Sequence, residues 1–278
     1  MIGLGISART GCKIVLFGIA CVFAFFTHVS GAAAESVGQS VLEAKLGKFG
    51  VFTKMNADGL ISVKLLYGEK DISQDKDAMY REVSFDELAS NFPLENMETL
   101  KINLYTGGAN CCQGYYLIAE GKGPHGAGHY AAYIEPYDGG LALNIEPSGY
   151  AAMDASFKGY QIEGTDVFLS RAESSRCSRL LVFENGKWRT DRIGEFPAYY
   201  RGMASESRDS GLNPLYNAIA LGYYSLMEGN SPESVKQLLQ KEMPKEFASK
   251  PEIVNRILAD IEKASKEFNP VKNLDISK

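Results

Sequence analysis

From Leu46 to about Tyr200, short runs of β-branched and aromatic residues alternate with clusters of Gly, Asn and Asp, the pattern of strands joined by turns. Phe49 to Thr53 and Leu60 to Tyr67 flank Asn56-Ala57-Asp58-Gly59, whose residues tolerate positive φ and predict a hairpin loop. Leu180 to Phe183 and Trp188 to Thr190 flank Asn185-Gly186, the pair that best suits a two-residue hairpin. Further strands are predicted at Leu100–Tyr105, Cys112–Ala119, Tyr130–Tyr137, Leu141–Ile145 and Asp166–Ser170. One helical interruption is predicted at Phe85–Asn91, where Ser84 supplies a cap and Pro93 a stop.

After Arg201 the period changes. Met203 to Gly211, rich in Ser, Gly and charge, reads as a linker. Asn213-Pro214 places a cap before a first-turn proline. Leu215, Ile219, Tyr223 and Leu226 then share one helical face, and Gly229 stands where a helix-ending glycine belongs. Ser231-Pro232 opens a second helix with Val235, Leu238 and Leu239 inward, ending near Pro244. Ser249-Lys250-Pro251-Glu252 has the form of a capping box for a third helix, with Ile253, Ile257, Leu258 and Ile261 on its apolar stripe. The predicted fold class is therefore α+β: an antiparallel β-rich domain over residues 40–202, followed by a C-terminal segment of about three helices over 212–268. Residues 269–278 are expected to form a loose tail.

The N-terminal pattern differs from all of this. Arg9 and Lys13 precede an apolar run from Ile14 to Phe26, and Ala32-Ala33-Ala34 follows as a small-residue cleavage site, with no acid before Glu35. These are the three parts of a secretory signal peptide, here residues 1–34. The run falls short of the ~20 residues that a membrane helix needs, so no stable membrane anchor is expected after cleavage. The weaker readings are an uncleaved anchor and a lipid-modified Cys21, the latter opposed by the apolar stretch that would follow it. The expected location is the periplasm or the exterior.

Composition narrows the function classes. The 278 residues carry 29 Lys and Arg against 34 Asp and Glu, and loss of Arg9 and Lys13 with the leader takes the net charge from −5 to −7. No basic patch stands out, which argues against nucleic acid as a partner. Cys12 and Cys21 leave with the leader, so the exported chain keeps Cys111, Cys112 and Cys177, an odd number in an oxidising compartment.

The densest local feature is Tyr105-Thr106-Gly107-Gly108-Ala109-Asn110-Cys111-Cys112-Gln113-Gly114-Tyr115-Tyr116, a glycine-rich turn running into a strand with adjacent cysteines. Adjacent residues of a strand point to opposite faces, so a bridge to Cys177 uses either Cys111 or Cys112 and leaves the other as a buried thiol. Such a link closes a loop of about 65 residues and is worth roughly 4 kcal/mol on the chain-entropy account. Two functional alternatives remain. A vicinal Cys111–Cys112 disulfide would be strained and easily reduced. A zinc site could combine a thiolate with His125 and His129, although both histidines stand in a glycine-rich turn and are weak metal candidates. Asn56-x-Asp58-Gly59 is only a fragment of a calcium loop. No cofactor is called for.

The Thr-Gly-Gly-Ala-x-Cys-Cys turn and strand, followed by two tyrosines, resembles a group of poorly characterised exported bacterial proteins with a Ser/Thr-Gly-Gly-Ala-x-Cys-Cys motif. Asn110 stands where that group often has His, so no role of that histidine transfers. The resemblance implies an exported β-rich scaffold and assigns no chemistry.

No catalytic residue emerges. The histidines lack a serine elbow, and Glu135, Asp138 and Glu146 near strand ends do not establish the separation that paired carboxylates require. Tyrosines are abundant, and Tyr115, Tyr116, Tyr130 and Tyr133 are the candidate ligand face, since Tyr offers rigid area with a polar tip. The expected function is that of an exported binding or envelope-interaction protein with structural cysteines and an unknown protein, peptide or glycan partner. The alternative is a cysteine-dependent redox or metal-binding enzyme centred on Cys111 and Cys112.

Overall fold

The computed structural model describes residues 38–86, 89–107, 113–123, 126–137, 139–143, 150–156, 160–162, 164–170, 176–208 and 213–276. The first sheet is a meander of β1 (Val41–Leu46), β2 (Phe49–Met55), β3 (Ile61–Tyr67) and β4 (Lys70–Asp71). Its β2–β3 turn follows the sequence expectation: Asn56 Oδ1 accepts from the amides of Asp58 and Leu60, and Gly59 takes a φ of 74°.

The second sheet uses β5 (Glu82–Phe85), β6 (Ala89–Ser90), β7 (Met97–Tyr105), β8 (Gln113–Gly123) and β9 (Gly126–Tyr137). Both β5 and β6 pair antiparallel with β7, so the helix predicted at Phe85–Asn91 does not form there. The edge of β7 offers backbone partners to both of these strands, and a sheet ladder satisfies those groups where a short helix would leave its ends open. The third sheet orders β10 (Leu141–Ala142), β11 (Tyr150–Ser156), β12 (Arg176–Glu184) and β13 (Lys187–Thr190). Asn185 and Gly186 join the last two with φ of 53° and 76°, both positive as a two-residue hairpin of this twist requires.

Five helices follow among the described residues: α1 (Pro197–Arg208), α2 (Pro214–Glu228), α3 (Pro232–Glu242), α4 (Lys245–Ala248) and α5 (Pro251–Glu267). The caps of α2 and α3 follow the sequence: Asn213 accepts from Leu215 N, Ser231 from Ser234 N, and Gly229 closes α2 at φ 105°. Two expectations are corrected. Most of the predicted linker at Met203–Gly211 lies in α1, because Tyr199, Tyr200, Met203 and Ala204 pack on the helical core. The predicted capping box at Ser249–Glu252 does not form, since Ser249 closes α4 and Lys250 takes the cap position of α5 without a side-chain bond.

The chain then returns to the second sheet. Val271–Asn273 forms β14, antiparallel to β9, so the tail expected to be loose contributes an edge strand. Asn273 also ties two sheets together: its side-chain amide accepts from Trp188 N at 2.7 Å and donates to Trp188 O at 2.8 Å, reproducing a backbone pair across the gap to β13.

All strand pairings named here are antiparallel, and the layers follow from alternation along β8. Tyr116 and Ile118 face the first sheet in one core with Phe49, Val51 and Leu65. Tyr115 and Leu117 face the third sheet in another core with Met153, Leu181 and Trp188. The second sheet is thus covered on both faces, which is why its central strand reads as a continuous apolar run. On β12, Leu180 and Val182 turn to the other side, where Phe196 and Tyr199 cover them from the helical segment.

A buried ion pair joins that segment to the third sheet. Arg179 of β12 donates from Nε to Asp191 Oδ1 at 2.7 Å and from Nη2 to Asp191 O at 2.6 Å. Its Nη1 reaches Ser265 O at 2.7 Å, in the last turns of α5, where a cation meets the negative end of the helix. Tyr200 of α1 donates to the second oxygen of Asp191 at 2.6 Å. Burial pushes the Asp191 carboxyl up, and the Tyr200 hydroxyl, Arg179 and the Leu180 amide oppose that shift.

Asp191→Ala leaves the Arg179 guanidinium buried without its carboxylate, and is expected to destabilise by about 3–5 kcal/mol in equilibrium urea unfolding. Tyr200→Phe, which removes one hydrogen bond and keeps the ring, is expected to cost only about 0.5–1.5 kcal/mol. Equal losses in the two variants would refute the central place given to the ion pair.

Burial also raises the phenols of Tyr115, Tyr116, Tyr133, Tyr137, Tyr200 and Tyr224 above their ordinary value of 10.0. These groups ionise near pH 10 only once unfolded, so the stability they hold below pH 10 falls as pH rises beyond it. In an alkaline titration, most phenolate absorbance is expected to appear together with loss of circular dichroism; a gradual appearance in the folded state would contradict this packing.

Candidate functional site

Three of the four tyrosines proposed as a ligand face are core residues, which corrects that expectation. Tyr116 and Tyr133 stack at 5.0 Å between the first and second sheets, and Tyr116 OH accepts from Gln74 N. Tyr115 lies on the opposite face, where its hydroxyl contacts Gln113 Oε1 and Gly139 O, each at 2.9 Å. Only Tyr130 is half-exposed; it packs edge-on against Phe183 at 4.8 Å and lines a pocket of about 320 Å³ beside β14. Strand alternation separates adjacent tyrosines, and the second sheet is covered on both faces.

Cys111, Cys112 and His125 lie outside the described residues. Cys177 is fully buried among the helices, in the core that includes Tyr223 and Tyr224. His129 stands on β9 opposite Glu120 of β8, with Nδ1 3.3 Å from Oε2. Its ring packs against Tyr67 and Phe49, so it contributes to the contact between the first two sheets. Among the described residues no group of three or more His, Cys, Asp and Glu side chains is placed to hold a metal. No helix among them is long and apolar enough to cross a membrane.

A groove of about 990 Å³ lies between the loop at 164–169 and the starts of α2, α4 and α5. The loop is a tight hairpin: Ile162 N donates to Val167 O at 3.1 Å and Leu169 N to Tyr160 O at 2.8 Å, with Gly164 at φ 77° in its bend. It is tethered at both ends. Ile162 and Leu169 are buried in the helical core, and Tyr160 OH donates to Asp260 Oδ2 of α5 at 2.7 Å.

Alternation along the returning arm then decides the site. With Val167 half-buried and Leu169 inward, Phe168 between them is turned out and stands 61% exposed. It is the most exposed large apolar side chain among the described residues. Leu215 and Ile253 provide an apolar floor and Phe247 a second aromatic wall. Around them stand Asp166, Glu246, Glu252 and Lys250, all exposed. The strand expected at Asp166–Ser170 is reduced to a single bridge between Gln161 and Phe168. The available sequence signal was the unbroken Val-Phe-Leu run, which on a two-sided loop must turn one apolar side chain to solvent.

No protein-family model, curated protein or solved structure matches this chain. The chemistry of the groove therefore has to be read from its own side chains. It holds an exposed aromatic on a tethered loop, an apolar floor and charged lips, without a nucleophile–base pair among its lining residues. The arrangement offers apolar contact area ringed by charge.

Phe168→Ala is expected to change unfolding free energy by less than about 0.5 kcal/mol, because the ring is mostly in water in the folded state. Tyr160→Phe, which removes a tether of the loop, is expected to cost about 0.5–1.5 kcal/mol. Urea denaturation of both variants checks this, and a large loss at Phe168 would make the residue a packing element.

Proposed function

We propose that this is an exported binding protein, periplasmic or secreted, whose groove between the 164–169 loop and the helices receives a protein, peptide or glycan partner of the cell envelope. The observation that carries the reading is Phe168, held 61% exposed by a tethered loop at the lip of the groove. Exposing an aromatic ring costs apolar burial, and rings so placed beside an apolar floor are the usual anchors of recognition. Export is supported by the leader pattern of residues 1–34. A structural role for Cys177 is supported by its complete burial, which keeps it from exchange with external thiols.

A photo-crosslinking amino acid placed at Phe168 in living cells tests the reading. The expected product is an adduct with an envelope component, on a chain recovered from the periplasm or medium with its N-terminus near Glu35. The same probe at Met55, 43% exposed on β2 and outside the groove, is expected to give none. Equal crosslinking at both positions, or an intact leader on the recovered chain, would count against the proposal.

A further inference from the structure

We infer that the occupant of the groove is a basic peptide segment carrying an apolar side chain; this rests on the binding role proposed above and names the chemistry of the partner. The argument begins with charge. Asp166, Glu246 and Glu252 line the groove, and none of them forms an ion pair among the described residues; Lys250 is the one cationic residue of the lining. Three other acids of the helices do find cations: Glu228 pairs with Arg201 at 2.7 Å, Asp260 with Arg256 at 3.3 Å and Glu262 with Lys266 at 3.2 Å. The groove thus combines an excess of two negative charges with an apolar floor, and a ligand complementary to both carries cations on either side of an apolar centre.

Besides the single-turn α4, two longer helices, α2 and α5, start at the same groove, and a free helix N-terminus attracts anions. Here that tendency is already answered. Asn213 Oδ1 accepts from Leu215 N at the start of α2, and Glu252 stands in the first turn of α5, where a carboxylate is favourable. An acidic peptide would face three carboxylates against one ammonium. A neutral glycan could stack on Phe168 and Phe247, but it would cover the carboxylates without neutralising them. A volume of about 990 Å³ is at the upper end for small-ligand sites and has room for a few side chains of an extended segment.

The test uses the purified protein and three labelled hexapeptides followed by fluorescence anisotropy: Lys-Lys-Phe-Leu-Lys-Lys, its serine counterpart Ser-Ser-Phe-Leu-Ser-Ser, and its acidic counterpart Glu-Glu-Phe-Leu-Glu-Glu. The lysine peptide is expected to bind most tightly, with an affinity that falls as salt is added. Combined Asp166→Asn, Glu246→Gln and Glu252→Gln substitutions are expected to weaken it about tenfold and flatten the salt dependence, three exposed pairs of modest strength being removed together. Phe168→Ala is expected to weaken it by a similar factor at unchanged stability. All four positions are exposed, so folding of the variants is checked by their unfolding midpoints.

Lysine-peptide binding that ignores Phe168→Ala and the neutralised acids would mean diffuse attraction to an acidic protein, and would overturn the proposal. Equal or tighter binding of the serine or acidic peptide, lost in Phe168→Ala, would overturn the basic chemistry while leaving the groove as a binding site. Absence of lysine-peptide binding alongside persistent crosslinking from position 168 would likewise refute the peptide chemistry alone. Failure of that crosslinking would instead strike at the binding role itself.

Discussion

The buried Arg179–Asp191 pair is the interaction on which the arrangement of the helical segment depends. Three parts of the chain meet at it: β12 through Arg179, the connection into α1 through Asp191 and Tyr200, and the end of α5 through the Ser265 carbonyl. Burying two charges is costly, and it is tolerated here because the guanidinium and the carboxylate both have further partners. A hydrophobic contact between the same elements would tolerate sliding. The directional fork of an arginine fixes the register of α1 and α5 against the sheet, and with it the position of the α5 start that forms one wall of the groove.

A second constraint comes from layering. With the first sheet on one face of the second and the third sheet on the other, β8 has no solvent face over its central residues, and the helices in turn cover the outer face of the third sheet. Each layer supplies the burial that its neighbour lacks, as packed layers must. The closing strand, β14, and the side chain of Asn273 seal the junction between the second and third sheets. Tyr115, Tyr116 and Tyr137 become packing residues whose hydroxyls find backbone partners inside, while Tyr130 keeps a half-exposed edge.

Set against this packing, the groove is where burial of a large apolar side chain is least complete among the described residues. The 164–169 hairpin is held by Ile162, Leu169 and Tyr160, yet its intervening Phe168 has no layer above it. An aromatic ring, an apolar floor and unpaired carboxylates in one concavity make a surface whose apolar and ionic requirements are both unmet within the described chain. The partner proposed above is one that would satisfy both.

Local chemistry was legible in the sequence wherever a few neighbouring residues decide the backbone. Asn56 to Gly59, Asn185-Gly186, Asn213-Pro214, Ser231-Pro232 and Gly229 adopt the turns and caps that their side chains dictate, because the required hydrogen bonds and φ values lie within about four residues. The division into β-rich and helical parts followed from the change of hydrophobic period near residue 200. Tertiary structure decided the rest. Glu82–Phe85 and Ala89–Ser90 became strands because the edge of β7 was free, Val271 to Asn273 paired with a strand more than 130 residues earlier, and Ser249 took the position that closes α4. The fate of each tyrosine, and the exposure of Phe168, depended on which layers arrived above and below. A periodic pattern records which face of an element is apolar, but not which partner will cover it, and in this protein that difference separates a core tyrosine from a groove phenylalanine.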